Sequence, residues 1–205
     1  TKINILDTPG HADFGGEVER IMNMVDGCLL LVDAFEGTMP QTRFVLKKAL
    51  QAHVKPIVVI NKVDRANIDI DAALDQVLNL FIELGAPEEF LDFDVVYTSA
   101  LKGTSSLDPN PETQKPGMEP VFETIIEHIP APKVDISAPL QLQVALLDYN
   151  DFVGRIGIGT IKQGTIHVND NVTVSRLDGS TLNFRVMKLF GYQGLQRLEI
   201  KEASA

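Results

Sequence analysis

Over the first two-thirds of the chain, apolar positions come in two alternating patterns. Four short uncharged runs, at residues 3–6, 27–32, 57–60 and 95–97, are rich in Val, Ile and Leu. Such runs predict strands buried on both faces, as in a parallel sheet. Between them the apolar spacing turns helical, predicting helices over 17–25, 41–52, 71–84 and 120–128. Their stripes are Val18, Ile21, Met22 and Val25 in the first, and Leu74, Val77, Leu78, Phe81 and Ile82 in the third. In the fourth the stripe is Val121, Phe122, Ile125 and Ile126. Strand and helix in alternation predict a mostly parallel sheet covered by helices, with right-handed crossovers. Residues 101–117, dense in Gly, Ser, Thr and Pro, read as a loop.

The pattern changes after a proline-spaced stretch that ends near Pro139, which reads as a semi-rigid linker. From Leu140 no helical period survives. Short strands alternate with turn signals at Gln163-Gly164, Asn169-Asp170-Asn171 and Asp178-Gly179, predicting a small antiparallel barrel. The expected organisation is an α/β domain over 1–130, a linker over 131–139 and an all-β barrel over 140–205. Glycines 154, 157, 159 and 164 in the barrel read as tight corners rather than as a phosphate nest.

Composition narrows the setting. The chain of 205 residues is 44% apolar and 22% charged, ordinary for a globular protein. Its longest apolar stretch, 28–32, is far short of a membrane span. The single cysteine, Cys28, lies in a predicted strand, reads as a small core residue and suits a reducing cytoplasmic setting. Net charge is −10, unevenly placed: residues 1–138 hold 11 basic and 22 acidic side chains, and 139–205 hold 7 and 6. That balance argues against DNA or generic nucleic-acid binding and leaves room for docking through a few local cations. The sequence opens without Met, directly in a strand-like run, and reads as a piece of a longer protein.

Three predicted strands end in polar clusters, at the carboxyl edge where open α/β sheets bind ligands. After the run 56–60 comes Asn61-Lys62-Val63-Asp64. A carboxylate accepts two hydrogen bonds from one planar partner, and guanine offers such a pair in its ring N–H and exocyclic amine. Adenine does not, so Asn61, Lys62 and Asp64 read as a guanine selector. After the first run comes Asp7-Thr8-Pro9-Gly10-His11. Asp7 is placed to face a phosphate-bound Mg²⁺ through water. Gly10 lets its backbone N–H approach a phosphate, and His11 can act on a water beyond it. After the fourth run, the small residues Ser99 and Ala100 permit close backbone approach to a planar ligand.

The order Asp-x-x-Gly, Asn-Lys-x-Asp, Ser-Ala-Leu resembles the GTPase superfamily of P-loop proteins. The histidine of Asp-Thr-Pro-Gly-His and the joined barrel narrow the resemblance to translation-factor GTPases. Residues 10–20 (Gly-His-Ala-Asp-Phe-Gly-Gly-Glu-Val-Glu-Arg), 39–45 (Met-Pro-Gln-Thr-Arg-Phe-Val), 130–132 (Pro-Ala-Pro) and 147–150 (Leu-Asp-Tyr-Asn) resemble the TypA/BipA branch of ribosome-associated GTPases. The resemblance covers essentially the whole chain. It implies that Asp7 holds Mg²⁺ through water, Gly10 senses the γ-phosphate and His11 places the attacking water once the ribosome engages. It implies that Asn61 and Asp64 read guanine, that the stem of Lys62 lies along the base, and that the Ser99–Ala100 backbone approaches the guanine oxygen. The helix opening at residues 15–17 corresponds to a switch that moves with nucleotide state. The β-barrel resembles the second domain of translation factors, and Arg155, Lys162, Arg176, Arg185, Lys188 and Arg197 are candidate ribosomal RNA contacts as a group.

One departure limits this reading. The sequence Gly-x-x-x-x-Gly-Lys-Ser/Thr, which would cradle the phosphates, occurs nowhere in the chain. The implied parent protein binds GTP or GDP with Mg²⁺ and works on the ribosome, while these residues alone are expected to bind nucleotide weakly. Two alternatives stay open: a non-catalytic RNA- or protein-docking barrel with a vestigial nucleotide fold, and a GTPase of another branch.

Overall fold

In the computed structural model, residues 1–8 and 15–205 are described, and the chain divides into two compact units, Thr1–Pro132 and Lys133–Ala205. The boundary falls inside the proline-spaced stretch. Residues after it already belong to the second unit: the Asp135 carbonyl accepts the Gly164 N–H at 2.8 Å.

The first unit is built on a five-stranded sheet. Strands β1 (Gly27–Asp33), β2 (Lys55–Asn61) and β3 (Val95–Ser99) run parallel in that order. The sheet continues antiparallel through β4 (Thr104–Ser106) and β5 (Lys115–Pro116), joined by a 3₁₀ turn at Pro111–Thr113. The stretch 101–117, read as a loop, is thus partly sheet. Gly103, at φ 64°, closes the β3–β4 hairpin in a conformation that costs glycine least. Among the described residues the unit also has the α-helices α1 (Gly15–Met22), α2 (Pro40–Gln51), α3 (Ile70–Glu83) and α4 (Glu119–His128). Pro40 opens α2, where its missing N–H costs nothing, and Asp69 caps α3 by accepting the Ala72 N–H at 2.9 Å.

Helices pack on both faces of the sheet, although Leu31 of β1 stays exposed. On one, Leu30, Val32, Val58, Ile60 and Tyr97 pack with Leu46 of α2 and Val77, Leu80 and Phe81 of α3. The Phe81 and Phe93 rings stack there with centroids 4.9 Å apart. On the other, Ile57 and Val96 pack with Val121 of α4. Two helical stripes sit in a different phase from the expected one. In α3, Ala73 and Leu80 are buried while Leu78 and Ile82 are exposed; in α4, Thr124 is buried while Phe122 and Ile126 are exposed. The Thr124 hydroxyl donates to the Pro120 carbonyl at 2.7 Å, which satisfies it inside the helix and lets a polar residue face inward. Cys28, partly buried, packs against the cluster of Val18 and Met22, and burial pushes its thiol up to about 12, which disfavours the reactive thiolate.

One predicted strand does not form. Residues 3–6 have no ladder partner among the described residues, and Ile5 is 70% exposed. Strand identity is a property of a pair, and an apolar run without a neighbour has no backbone partners to hold it extended.

The second unit is all-β. Strands β6 (Gln141–Asn150) and β7 (Gly154–Gln163) form a long antiparallel hairpin. Strand β8 (Thr165–His167) pairs with β13 (Glu202–Ser204), β9 (Asn171–Ser175) with β10 (Thr181–Arg185), and β11 (Leu189–Gln193) with β12 (Gln196–Ile200), all antiparallel. A Cβ on Gly159 would run into the Gln143 carbonyl, beside the register shift between Val144 and Leu146. That close backbone approach explains this glycine as a corner. Several of the candidate RNA-contacting cations are engaged within the unit. Arg197 pairs with Asp148 at 2.9 Å, Lys188 with Glu199 at 2.8 Å, and Arg185 donates to the Asn169 carbonyl at 3.2 Å.

Candidate functional site

The parallel register sets the site. Asp33 of β1, Asn61 of β2 and Thr98 of β3 lie side by side, so the polar residues that follow each strand emerge at one edge. Backbone bonds carry the alignment past the strands. The Ala34 N–H donates to the Asn61 carbonyl at 2.9 Å, and the Val63 N–H to the Thr98 carbonyl at 3.2 Å. Val63, 2% exposed, anchors the Asn-Lys-x-Asp loop in the core.

Asn61 ties this loop to the one after β3. Its side-chain oxygen accepts from the Ala100 N–H at 3.1 Å and from the Thr98 hydroxyl at 3.2 Å. A guanine oxygen approaching Ala100 would therefore share that donor with Asn61. Ser99 makes the second link. Its hydroxyl accepts the Lys102 N–H at 3.2 Å. The nearby Ser99 hydroxyl is the largest influence holding Asp64 below the usual carboxylate range. It acts against a smaller desolvation effect, with help from the residue's own backbone N–H and the charges of Lys102 and Arg65. An ionised carboxylate is acceptor-only, the state needed to receive two N–H donors from one base edge.

Lys62 has a left-handed backbone at φ 67°, uncommon for a residue with a side chain. Its ammonium donates to Oδ2 of Asp33, and Arg65 Nη1 reaches the same oxygen at 3.7 Å. The other Asp33 oxygen accepts the Phe35 N–H at 2.9 Å and the Glu36 N–H at 3.4 Å. Burial of Asp33 works to raise its pKa, but the Lys62 hydrogen bond, these backbone bonds and the Lys62 charge together leave it lowered. Arg65 lies over the Phe35 ring, 5.9 Å from its centroid.

The fold thus joins Asn61, Lys62, Asp64, Ser99 and Ala100 in one neighbourhood. It does not bring Asp7 there: Asp7 is exposed in the irregular segment 1–8, and no hydrogen bond links it to the cluster. Gly10 and His11 lie outside the described residues. Asp33 was missed in the sequence, though it carried a usable signal, an acidic residue closing an apolar strand as Asn61 closes the next. No group of three or more His, Cys, Asp or Glu among the described residues is placed to hold a metal. Asp7 offers one carboxylate, which suits a Mg²⁺ ion that keeps phosphate and water ligands. No helix among the described residues is long and apolar enough to cross a membrane.

Comparison with known proteins agrees with the motifs. The family described as the elongation factor Tu GTP binding domain matches residues 1–131. The large ribosomal subunit assembly factor BipA of Bacillus subtilis (strain 168) is 62% identical over 205 residues, all of this chain and 33% of that protein. The protein of the same name from Escherichia coli (strain K12) is 54% identical over 204 residues, again 33% of its length. In Synechocystis sp. (strain ATCC 27184 / PCC 6803 / Kazusa) the figures are 53% over 207 residues and 34%. The chain thus spans about a third of the length of the curated relatives it matches. The crystal structure of the bacterial selenocysteine-specific elongation factor EF-Sec matches 97% of this chain and 31% of that one, with TM-score 0.68 and 23% identity, a likeness of fold. The chain belongs to the elongation factor Tu GTP-binding family and, within it, to the TypA/BipA branch.

Proposed function

We propose that these residues are the base-reading portion, with the following β-rich unit, of a cytoplasmic GTPase that cleaves GTP to GDP and phosphate on the ribosome. Its relatives' printed name, large ribosomal subunit assembly factor, points to assembly of that subunit as the setting. The observation that carries the reading is the Asn61 bridge at the aligned strand ends: its side-chain oxygen accepts the Ala100 N–H at 3.1 Å and so joins the Asn-Lys-x-Asp loop to the Ser99–Ala100 loop. Asp64 accepts the ring N–H and exocyclic amine of guanine, the Lys62 stem covers a face of the base, and Asn61 keeps the two loops in register. Asp7 would hold a nucleotide-bound Mg²⁺ through water, and that ion would supply charge neutralisation at the phosphates. His11 orients the attacking water when the ribosome engages, and the β-rich unit meets the ribosome through its basic residues as a group.

The test is Asp64→Asn in the full reading frame that contains this chain. The amide both donates and accepts, so preference should move from guanine toward xanthine nucleotides, measured by competition against labelled GDP. Unchanged GTP preference removes the selector assignment. His11→Ala should leave nucleotide affinity nearly intact and slow ribosome-stimulated turnover; full stimulated turnover removes His11 from the mechanism. The 205 residues alone, without a phosphate-cradling sequence, should bind GDP more weakly than the micromolar range.

A further inference from the structure

The Asp33 carboxylate is more deliberate than a surface ion pair. Exposed pairs contribute little, because two long side chains must be ordered to make them. Here one partner is already fixed. The Asp33 side chain is 12% exposed, and its Oδ1 is held by the Phe35 and Glu36 N–H groups, so Oδ2 is presented in a set direction. Lys62 is constrained from the other side. Its backbone is left-handed, preceded by Asn61, whose carbonyl bonds Ala34, and followed by the buried Val63. With both ends of the lysine held, few paths across the strand ends remain open to its methylene stem. Arg65 shares Oδ2 at 3.7 Å and lies over the Phe35 ring, so the anchor joins the loop after β1 to the loop after β2.

We propose that Asp33 is a positioning residue for nucleotide binding: it anchors the Lys62 ammonium so that the lysine stem forms a fixed wall for one face of the base. The inference rests on the base-reading assignment above. A wall touches the ring face and not its edge. Losing it should weaken every purine nucleotide by the same factor and leave the edge discrimination by Asp64 untouched.

The experiment measures GDP and inosine diphosphate affinity in the full reading frame; inosine diphosphate lacks the exocyclic amine. Asp33→Asn should lose about tenfold on both nucleotides, with their ratio unchanged. Asp33→Glu should recover most of the loss. Lys62→Met, which keeps the stem and removes the charge, should lose a similar factor, and adding Asp33→Asn to it should change nothing further. Asp33→Ser keeps an acceptor for the Phe35 N–H and removes the charge, so it carries the same expectation if Asp33→Asn does not fold. Affinity within about twofold of the parent in a folded charge-removed variant overturns the proposal, as do losses at Asp33 and Lys62 that multiply. A parent protein that binds inosine diphosphate as tightly as GDP overturns the base-reading assignment instead. Normal selectivity with full affinity in Asp33→Asn overturns this inference alone.

Discussion

Two apolar runs of the first unit each lead into a polar motif, and they end in different states. Residues 57–60 are buried in the middle of a sheet, and the residues after them are locked by bonds to both neighbouring strands. Residues 3–6 carry similar side chains, yet Ile5 and Leu6 are 70% and 47% exposed, and Asp7 follows them into solvent. The difference is the neighbour. β2 has a parallel partner on each side, so its backbone groups and both faces are satisfied together. A motif becomes a site when the strand in front of it is held in register; the polar letters alone do not suffice.

The largest effect should come from removing what holds β2 and β3 together. Phe81→Ala empties a fully buried position under Val58, Ile60 and Tyr97 and should cost about 3–5 kcal/mol in denaturant unfolding. A cost near zero would mean that the base-reading end does not depend on this core. Next, Asp64→Asn should lower GDP affinity on the order of 100-fold, because the site's own polar groups are then mispaired with guanine.

Ser99→Ala sharpens the comparison by a smaller and more specific effect. The Ser99 hydroxyl is the main influence holding Asp64 below the usual carboxylate range. On the proposed reading, guanine binding by the ionised form should be fully present above the ordinary carboxylate pKa and lost as pH falls through the lowered value. Ser99→Ala should weaken GDP binding by roughly a few-fold at neutral pH and move the acid limit of binding upward. An unchanged acid limit would break the Ser99–Asp64 link. The smallest effect belongs to the other run: Leu6→Ala, at an exposed position without a strand partner, should change stability by less than about 0.5 kcal/mol. A loss above about 2 kcal/mol would show that residues 3–6 are as integral to the fold as 57–60.

Much of this was legible in the chain. The runs 27–32, 57–60 and 95–97 are β1, β2 and β3 to within two residues, since short uncharged β-branched stretches have few other stable homes. Helix existence was equally clear, but helix phase was not. Leu78 and Ile82 extend the apolar stripe of α3, yet the sheet takes Ala73 and Leu80 instead, because periodicity defines a broad stripe and only the packing partner chooses its centre. Strands β4 and β5 were hidden by their Ser, Thr, Pro and Lys content, which signals turns; they exist because β3 offers an edge. The partner of Asp33 was not legible, for a related reason. Asp33 lies 29 positions from Lys62, and only the parallel register of β1 on β2 brings it within reach.

The sequence by itself determined the chemistry offered: Asn61, Lys62, Asp64, Ser99 and Ala100, each following an apolar run that must be buried. Tertiary structure decided how those groups are spent. Register set Asp33 beside Asn61, brought Ser99 near Asp64 and committed the Ala100 N–H to Asn61. Burial of apolar runs is a property of composition along the chain, whereas a hydrogen bond has a direction, and direction exists only after strands from distant segments have been laid side by side.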